Sequence, residues 1–145
     1  MKIRQILQGK KINALFSVTS DTTVFNALVE MANKNIGALL IIDEGKLSGI
    51  FSERDYARKI VLKGLHSDNT LVKDVMTSKV ITVEMEDKLE FAMQIMSEKH
   101  IRHLPVLEGD VLTGIISIND VVSSIIKEQK SQIESLQGYI SGNYA

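Results

Sequence analysis

The sequence has no cysteine among its 145 residues, and this absence excludes several kinds of chemistry. Disulfide scaffolds, thiolate metal sites and cysteine nucleophiles are ruled out, while the redox compartment stays undetermined. The chain also lacks an apolar run of about 18 residues, the length expected of a membrane-spanning helix. The segment Met1–Gln8 has no apolar stretch behind it and does not read as a signal peptide. We therefore expect a cytoplasmic protein with no membrane partner.

An excess of charge of one sign is missing as well. Seventeen Lys and Arg residues oppose eighteen Asp and Glu residues, which leaves a formal net charge of −1. With no basic surface to attract phosphates, a nucleic-acid partner is not expected. The hydrophobic fraction of 44% and the charged fraction of 24% are ordinary for globular proteins and exclude a disordered chain. The length suits one or two domains with a core of their own.

Signatures of catalysis are absent too. The sequence contains no Walker loop, no Gly-x-Ser-x-Gly elbow and no pair of carboxylates at a recognisable spacing. His100 and His103 are three residues apart, but no third ligand follows at the spacing of a metal site. We therefore predict that the protein is not an enzyme, with no catalytic residue, no catalytic cofactor and no metal site.

The clearest positive feature is an internal repeat at an offset of 65 residues. Residues 18–55 align with residues 83–120 without a gap, and eleven of the 38 aligned positions are identical. About two identities would be expected by chance. A short lead-in, Ile3–Leu7, also resembles Val72–Met76, and four more residues separate the lead-in from the repeat in the first copy than in the second. The chain is therefore a duplication of one structural unit.

Each copy of the repeat has the same pattern of elements. Apolar residues recur at helical spacing in 24–31 and in 89–96. Two short apolar runs around a glycine turn follow in each copy and predict a β-hairpin. A second helix is expected from Glu53 to Lys63, and its counterpart from Ile118 onward. The predicted fold is α+β, with two pseudosymmetric β-α-β-β-α units packed as an intramolecular pair, sheet against sheet.

We divide the chain into a first domain at 1–66, a second at 67–128 and a C-terminal helical extension at 129–145. Apolar residues in the last helix step by four and three residues, interrupted by the polar Gln129. These residues are Val122, Ile126, Ile133, Leu136 and Ile140. We expect this apolar stripe to pack against another surface, either the N-terminal segment or a second copy of the protein. The second alternative predicts a homodimer.

A Ser-x-x-Asp pattern stands at the same place in both repeats, in Gly49–Asp55 and in Gly114–Asp120. One interpretation is a capping box, in which Ser is the N-cap of a helix and Asp replaces the usual Glu. Another is a nucleotide site, because a helix start attracts phosphate and a carboxylate can accept hydrogen bonds from both hydroxyls of a ribose. The two interpretations are compatible.

Over about residues 1 to 130 the chain resembles a tandem pair of cystathionine-β-synthase (CBS) domains, a Bateman module, and in particular the small stand-alone CBS-pair proteins of bacteria. The likeness lies in the repeat and in the segments Leu47–Arg58, Val72–Thr77, Lys99–Val106 and Leu112–Ser117, with Asp120. The resemblance implies clefts between the two domains that bind an adenosine-containing ligand: AMP, ADP, ATP, NAD or S-adenosylmethionine. It also implies homodimers formed through helical faces.

By this resemblance Asp holds the ribose, Ser lies near ribose and phosphate, and adenine contacts the segments around the first and second core strands. The first cleft would then be formed by Ser17, Thr19, Ala38, Ser52, Arg54 and Asp55. The second would be formed by Thr82, Arg102, His103, Pro105, Ser117, Asn119 and Asp120. We favour the second cleft because Pro105 stiffens its wall and the guanidinium of Arg102 can pair with a phosphate.

Three functions are compatible with these features. The first is a regulatory module that binds an adenine nucleotide and signals to a separate, unidentified protein. The second is a structural or oligomerisation module in which the Ser-x-x-Asp pairs only cap helices. The third, an enzyme acting on a nucleotide, lacks a nucleophile and a metal site, so we do not favour it.

Overall fold

The computed structural model describes residues 1–10 and 15–141 and divides the chain into two compact units. The first-repeat unit is Ala14–Ile81, and the second-repeat unit joins Met1–Asn13 to Thr82–Ala145. The division at 1–66 and 67–128 follows chain order, whereas the compact units exchange their lead-in segments. The lead-in Ile3–Leu7 therefore belongs to the unit of the second repeat, and the lead-in Val72–Met76 belongs to the unit of the first repeat.

The elements, in chain order, repeat the same series twice. They are α1 (Ile3–Gln8), β1 (Ser17–Val18), α2 (Val24–Lys34), β2 (Ala38–Asp43), β3 (Lys46–Ser52), α3 (Glu53–Asp55), a π-helix (Tyr56–Val61), a 3₁₀ turn (Val72–Asp74), β4 (Val83–Glu84), α4 (Leu89–Lys99), β5 (His103–Glu108), β6 (Val111–Ser117) and α5 (Ile118–Ser141). The predicted α+β fold with two β-α-β-β-α units is confirmed.

Each unit contains a three-stranded sheet, with the strand orders β1-β2-β3 and β4-β5-β6. The first strand of each sheet is parallel to the second, and the second and third form the predicted antiparallel hairpin. The registers are equivalent, since Ala38 pairs with Ser52 in one hairpin and His103 pairs with Ser117 in the other. The last residue of each hairpin therefore lies beside the first, at the edge where the next helix begins.

Apolar side chains on one face of each sheet form the cores. In the first-repeat unit, Val24, Ala27 and Met31 of α2 are buried in one cluster with residues of β2 and β3, including the fully buried Phe51. The second-repeat unit buries the counterparts of these residues: Leu89, Ala92, Met96, Leu104, Val106 and Ile116. The helical spacing predicted from the sequence therefore identifies the buried face of both helices, except that Met93, which has the same spacing, is exposed.

Glycine in the third strand allows each lead-in to approach closely. A Cβ atom on Gly49 would lie 2.6 Å from Sδ of Met76 and 2.9 Å from the carbonyl oxygen of Thr77. A Cβ atom on Gly114 would lie 2.9 Å from both methyl groups of Leu7. A side chain at Gly49 would meet backbone, and one at Gly114 would require Leu7 to shift, so the two glycines allow the lead-ins to lie against the sheets.

The helix after each hairpin differs between the units. In the first-repeat unit, the predicted helix Glu53–Lys63 is one α-helical turn, Glu53–Asp55, followed by the π-helix, in which the N–H of Leu62 donates to the carbonyl of Ala57. In the second-repeat unit, α5 is α-helical for 24 residues. π-Helical segments are uncommon and frequently lie near functional sites.

The apolar stripe of α5 remains exposed in the described part of the chain. The helix α1 packs on β6 and α5 through its buried residues Ile3, Ile6 and Leu7. Even so, Val122, Ile126, Ile133, Leu136 and Ile140 are exposed. The N-terminal segment, one of the two packing partners expected from the sequence, therefore does not bury this stripe. In residues 1–10 and 15–141, no helix combines the length and apolar character needed to cross a membrane.

Candidate functional site

The two Ser-x-x-Asp sequences form capping boxes at the junctions of β3 with α3 and of β6 with α5. The backbone N–H of Asp55 donates to Oγ of Ser52 at 3.2 Å, and the backbone N–H of Ser52 donates to Oδ2 of Asp55 at 3.0 Å. The corresponding distances for Ser117 and Asp120 are 3.1 and 2.8 Å. The capping interpretation is confirmed at both turns.

The carboxylate of Asp55 is engaged on both oxygens. Oδ2 accepts the backbone and hydroxyl hydrogen bonds of Ser52, and Oδ1 accepts a hydrogen bond from the Thr77 hydroxyl at 3.2 Å. The ammonium of Lys59, four residues along the same helix, lies 3.0 Å from Oδ1 and also donates to the carbonyl of Val75. Only 11% of the Asp55 side chain is exposed. The Asp55 carboxylate therefore has an ion pair with Lys59 and hydrogen bonds on both oxygens, all within the first-repeat unit.

Asp120 is in a more open position. Its Oδ2 accepts from the backbone of Ser117 and lies 3.0 Å from Nζ of Lys10, which also donates to the carbonyl of Ile115 at 2.8 Å. Within residues 1–10 and 15–141, Oδ1 of Asp120 accepts no hydrogen bond. The side chain is 22% exposed, twice the fraction of Asp55. Among the described residues, this carboxylate therefore has donors on one oxygen only.

A backbone hydrogen bond joins each helix start to the segment before the second strand. The N–H of Glu53 donates to the carbonyl of Gly37, and the N–H of Ile118 donates to the carbonyl of Arg102 at 2.8 Å. These bonds bring Gly37 and Arg102 to the two capping boxes. Because Gly37 has no side chain, only the second-repeat unit places a cation at this position.

Burial lowers the pKa of His103 below its ordinary value. The carboxylate of Asp120 opposes this effect, and the cations of Lys10 and Arg102 lower the pKa further. The lowered pKa favours the neutral imidazole, and among the described residues Lys10 and Arg102 are the cations close enough to act on it.

The remaining predicted residues of the first site lie at different distances from its capping box. Ala38 pairs directly with Ser52 and is buried. Ser17 pairs with Leu40, two residues further along β2, and is exposed. Thr19 lies still further toward the hairpin turn, where the adjacent Ser20 donates to Asp43. The structure therefore does not bring Thr19 to the capping box. Arg54, the second residue of α3, is exposed.

In the second site the predicted residues are closer together. His103 pairs with Ser117, and Pro105 is two residues along β5 and buried. Thr82 immediately precedes β4, whose first residue pairs with Val106, so it lies on the His103 side of that pair. Asn119 and Arg102 are exposed at the start of α5. The structure thus gathers most of this set around Asp120.

Sequence reasoning missed two residues, Lys10 and Thr77, that contact the acidic residues. Both follow the lead-in segments, outside the aligned repeats 18–55 and 83–120. The lead-ins align at an offset of 69 residues, which matches Leu7 with Met76 and Lys10 with Lys79. This weak signal identifies the lead-ins as equivalent, but not the acidic residue against which each one packs.

A metal site finds no support in the described part of the chain. No group of three His, Cys, Asp or Glu side chains there could hold an ion. His100 is the C-cap of α4 and has left-handed backbone geometry, as Asn35 has at the end of α2. The spacing of His100 and His103 therefore reflects a helix end followed by a strand.

An open cavity of about 350 Å³ in the first-repeat unit borders the first capping box through Gly37 and Glu53. Its walls are Leu28, Met31, Ala32, Asn35, Ile36, Gly37 and Glu53. Ser52 and Asp55 themselves are not among its walls.

The fold agrees with the comparisons to known proteins. The CBS domain model matches residues 11–62 and 72–127, and the chain belongs to the CBS-domain family. It is therefore a tandem pair of CBS domains. A mitochondrial CBS domain-containing protein of Arabidopsis thaliana, CBSX3, is 42% identical over 131 residues, which cover 87% of this chain and 64% of that protein.

Solved structures show the same fold. A protein with CBS domains from Burkholderia ambifaria MC40-6 is 44% identical, with a TM-score of 0.86, and the match covers 89% of this chain and 96% of that one. A CBS domain protein from Pyrobaculum aerophilum, complexed with AMP, is 24% identical, with a TM-score of 0.72 and coverages of 83% and 89%. The chain spans 22% to 64% of the length of the first three curated relatives. Tandem CBS-domain proteins are typically regulatory and generally not catalytic.

Proposed function

We propose that the protein is a regulatory module that binds an adenosine-containing nucleotide beside Asp120 and signals to a separate protein. The observation that carries this proposal is the hydrogen bonding of the Asp120 carboxylate and the cations near it. Its Oδ1 accepts no hydrogen bond from the described residues, while Lys10 and Arg102 supply positive charge nearby. Such a site combines an acceptor for ribose hydroxyls with cations for phosphate.

The energies are sufficient for a ligand of micromolar affinity. A hydrogen bond to a charged group contributes about 1.5 to 3 kcal/mol. Two bonds from ribose hydroxyls to Asp120, with burial of the base against apolar residues, reach the roughly −8 kcal/mol of a micromolar complex. AMP is the first ligand to test, because a protein of the same fold was crystallised with it. ADP, ATP and NAD share the adenosine group and belong in the same series.

We expect the first-repeat unit to bind such ligands more weakly. A ribose at Asp55 would have to replace its hydrogen bond from Thr77 and its contact with Lys59. Breaking bonds that already satisfy a buried carboxylate cancels much of the gain from the new ones. We favoured the second site from the sequence because of Pro105 and Arg102. The contacts already made by Asp55 are a further reason to favour it.

Calorimetric titration of AMP into the wild type and Asp120→Asn tests the proposal. The amide oxygen of Asn can still accept from Ser117, so the cap is kept while the negative charge is lost. We expect AMP to bind the variant about tenfold more weakly or worse, which corresponds to about 1.4 kcal/mol or more.

Asp55→Asn is the matched control, since it makes the same change in the other capping box. We expect it to alter AMP affinity by less than about twofold. No binding to the wild type by AMP, ADP, ATP or NAD would contradict the proposal. Equal affinity in the wild type and Asp120→Asn would show that Asp120 does not hold the ribose.

A second candidate function, an oligomerisation module, is favoured by the exposed stripe of α5. Val122, Ile126, Ile133, Leu136 and Ile140 lie on a helix with a coiled-coil-like spacing and are exposed. Burial of such a stripe against a second copy would remove apolar surface from water. This function and nucleotide binding are compatible, and together they correspond to a homodimeric regulator.

Light scattering on the wild type and Ile133→Glu checks the dimer. We expect the mass of two chains for the wild type and of one chain for the variant, because a charge in the middle of an apolar seam opposes pairing. Gln132→Glu introduces the same charge at the adjacent residue and should stay dimeric. A monomeric wild type at tens of micromolar, about the concentration at which a micromolar dimer forms, would exclude this interface.

A further inference from the structure

The last helix continues beyond the second CBS domain. The match to that domain ends at residue 127, whereas α5 extends to Ser141. From 129 to 140, every residue except Gly138 is exposed. A helical segment of about a dozen residues is only marginally stable in water when nothing packs against it. This distal segment of α5, residues 129–140, therefore depends on a packing partner for much of its stability.

The apolar stripe of α5 has the residue types of one kind of coiled coil. When Ile126 is taken as position a of a heptad, the a positions are Ile126, Ile133 and Ile140, and two of the three d positions are Val122 and Leu136. These five side chains are between 45% and 83% exposed. Isoleucine at a with leucine at d favours parallel coiled coils of two strands. The stripe is therefore suited to packing against α5 of a second copy.

The residues that flank the stripe are compatible with this pairing. In a parallel coiled coil, each g position lies beside the e position of the next heptad in the other helix. This places Ile125 beside Lys130 and Gln132 beside Gln137, so like charges do not face each other.

The charged residues of α5 give no reason to expect a partner of strong charge. Beyond Asp120, two lysines and two glutamates balance each other: Lys127, Lys130, Glu128 and Glu134. A helix without an excess of positive charge is weakly attracted to an anionic membrane or to nucleic acid. A second copy of the chain therefore fits this helix better than either of those partners does.

The polar residue within the stripe, Gln129, distinguishes between the two orientations of a pair. It occupies the remaining d position. In a parallel, in-register pair, Gln129 meets Gln129 of the other copy, and the two amides can donate to and accept from each other. In an antiparallel pair, d positions face a positions, and every a position here is isoleucine. An amide buried against isoleucine would lose its hydrogen bonds to water without replacement.

We propose that the α5 helices of two copies form a parallel, in-register, two-stranded coiled coil from Val122 to Ile140, with the Gln129 pair fixing its orientation. The inference rests on the proposed oligomerisation module and specifies how the two copies pair. Asp120 precedes Val122 by two residues on the same helix. The parallel pairing therefore places the two Asp120 residues at the same end of the coiled coil.

Disulfide cross-linking tests the orientation, and the chain is suited to it because it has no cysteine of its own. Ile126→Cys, Ile133→Cys and Ile140→Cys are each oxidised as full-length protein and separated on a non-reducing gel. We expect each variant to give disulfide-linked dimers, because equivalent a positions face each other in a parallel pair. Ser131→Cys is the matched control, since nine residues after Val122 correspond to the opposite side of the helix. It should remain mostly uncross-linked.

A mixture of two different variants tests the opposite orientation. Ile126→Cys chains are combined with Leu136→Cys chains that carry a size tag. In an antiparallel pair that places Ile133 against Gln129, Ile126 would face Leu136, and mixed dimers would form. In the parallel pair these positions are separated by about 15 Å along the helix, so we expect dimers of each variant with itself but few mixed dimers across these two positions.

Replacing Gln129 by leucine tests the role of the amide. Polar residues in a coiled-coil core reduce stability while they specify the pairing. In Gln129→Leu we expect the dimer to dissociate at about tenfold lower concentration, as measured by analytical ultracentrifugation. Mixed dimers between positions 126 and 136 should also appear when both chains carry this change. A weaker dimer in Gln129→Leu would contradict the position assigned to Gln129.

The outcomes separate the inference from the oligomerisation proposal. If the wild type is dimeric and mixed dimers between positions 126 and 136 predominate, the pair is antiparallel, so the inference is wrong and the oligomerisation proposal stands. If the wild type is dimeric but none of the three a-position variants cross-links, the copies pair through another surface and the inference is again wrong. If the wild type is monomeric at tens of micromolar, about the concentration at which a micromolar dimer forms, both fail and the stripe is left for a different partner.

Discussion

Replacing Phe51 by alanine should lower the free energy of unfolding of the first-repeat unit by about 3 to 5 kcal/mol. The ring is completely buried in the cluster formed with Leu39, Ile41 and Ile60. Its removal loses the transfer energy of an aromatic side chain and leaves a cavity that the close-packed neighbours cannot fill. Because Ser52 follows Phe51 directly, the same change should loosen the first capping box.

Urea denaturation followed by circular dichroism measures the loss, and hydrogen exchange of the β2 and β3 amides assigns it to the first-repeat unit. Phe51→Leu is the control, because it keeps most of the apolar volume and should cost clearly less than Phe51→Ala. A loss below about 1 kcal/mol in Phe51→Ala would mean that the ring is not in a packed core.

Replacing Gly49 by alanine is the second change with a large expected effect, about 1 to 3 kcal/mol. The added methyl group would lie 2.9 Å from the Thr77 carbonyl oxygen. This carbonyl accepts from the N–H of Ile50, and the N–H of Thr77 donates back to Ile50, so the backbone cannot move away without breaking both bonds. We expect the lead-in to separate from the sheet, with loss of the bond from Thr77 to Asp55.

Gly114→Ala is the matched change in the second-repeat unit. There the methyl group meets the two methyl groups of Leu7, which belong to a side chain and can shift. The free energy of unfolding should therefore fall less than in Gly49→Ala, as measured by thermal and urea unfolding of both variants. An equal or larger loss in Gly114→Ala would contradict the role assigned to the Thr77 carbonyl.

The repeat and its hairpins could be predicted from the sequence because their signals are local. The aligned segments 18–55 and 83–120 place glycine turns, apolar runs and Ser-x-x-Asp at equivalent positions, and the registers of the two hairpins are equivalent. Capping was also predictable, since a box of Ser and Asp at a helix start depends on residues three apart.

Other features depend on contacts between segments that are distant in sequence. The exchange of lead-ins arises because Leu7 packs against Gly114 and Met76 against Gly49. Lys10 reaches Asp120 across 110 positions of the chain for the same reason. No periodicity within the lead-in indicates such a contact, so the role of Lys10 and the exchange of lead-ins could not be predicted from the sequence.

Local geometry explains two smaller differences between the sequence predictions and the structure. The π-helical winding of Tyr56–Val61 has no signature in the apolar spacing that predicted a helix there. The short strand β1 runs parallel to β2, which carries Thr19 away from Ser52. Proximity in sequence to Ser17 therefore did not imply proximity to the first capping box.

The response of His103 to AMP is the most direct test of the claim that the nucleotide binds beside Asp120. The chain has three histidines, His66, His100 and His103, whose ring signals NMR can follow separately. We expect AMP to shift the His103 signal and to raise its pKa, because the phosphate adds negative charge where Lys10 and Arg102 now favour the neutral ring. The signal of His66 should not move. An unchanged His103 signal at AMP concentrations that saturate the calorimetric titration would place the ligand elsewhere and contradict the account.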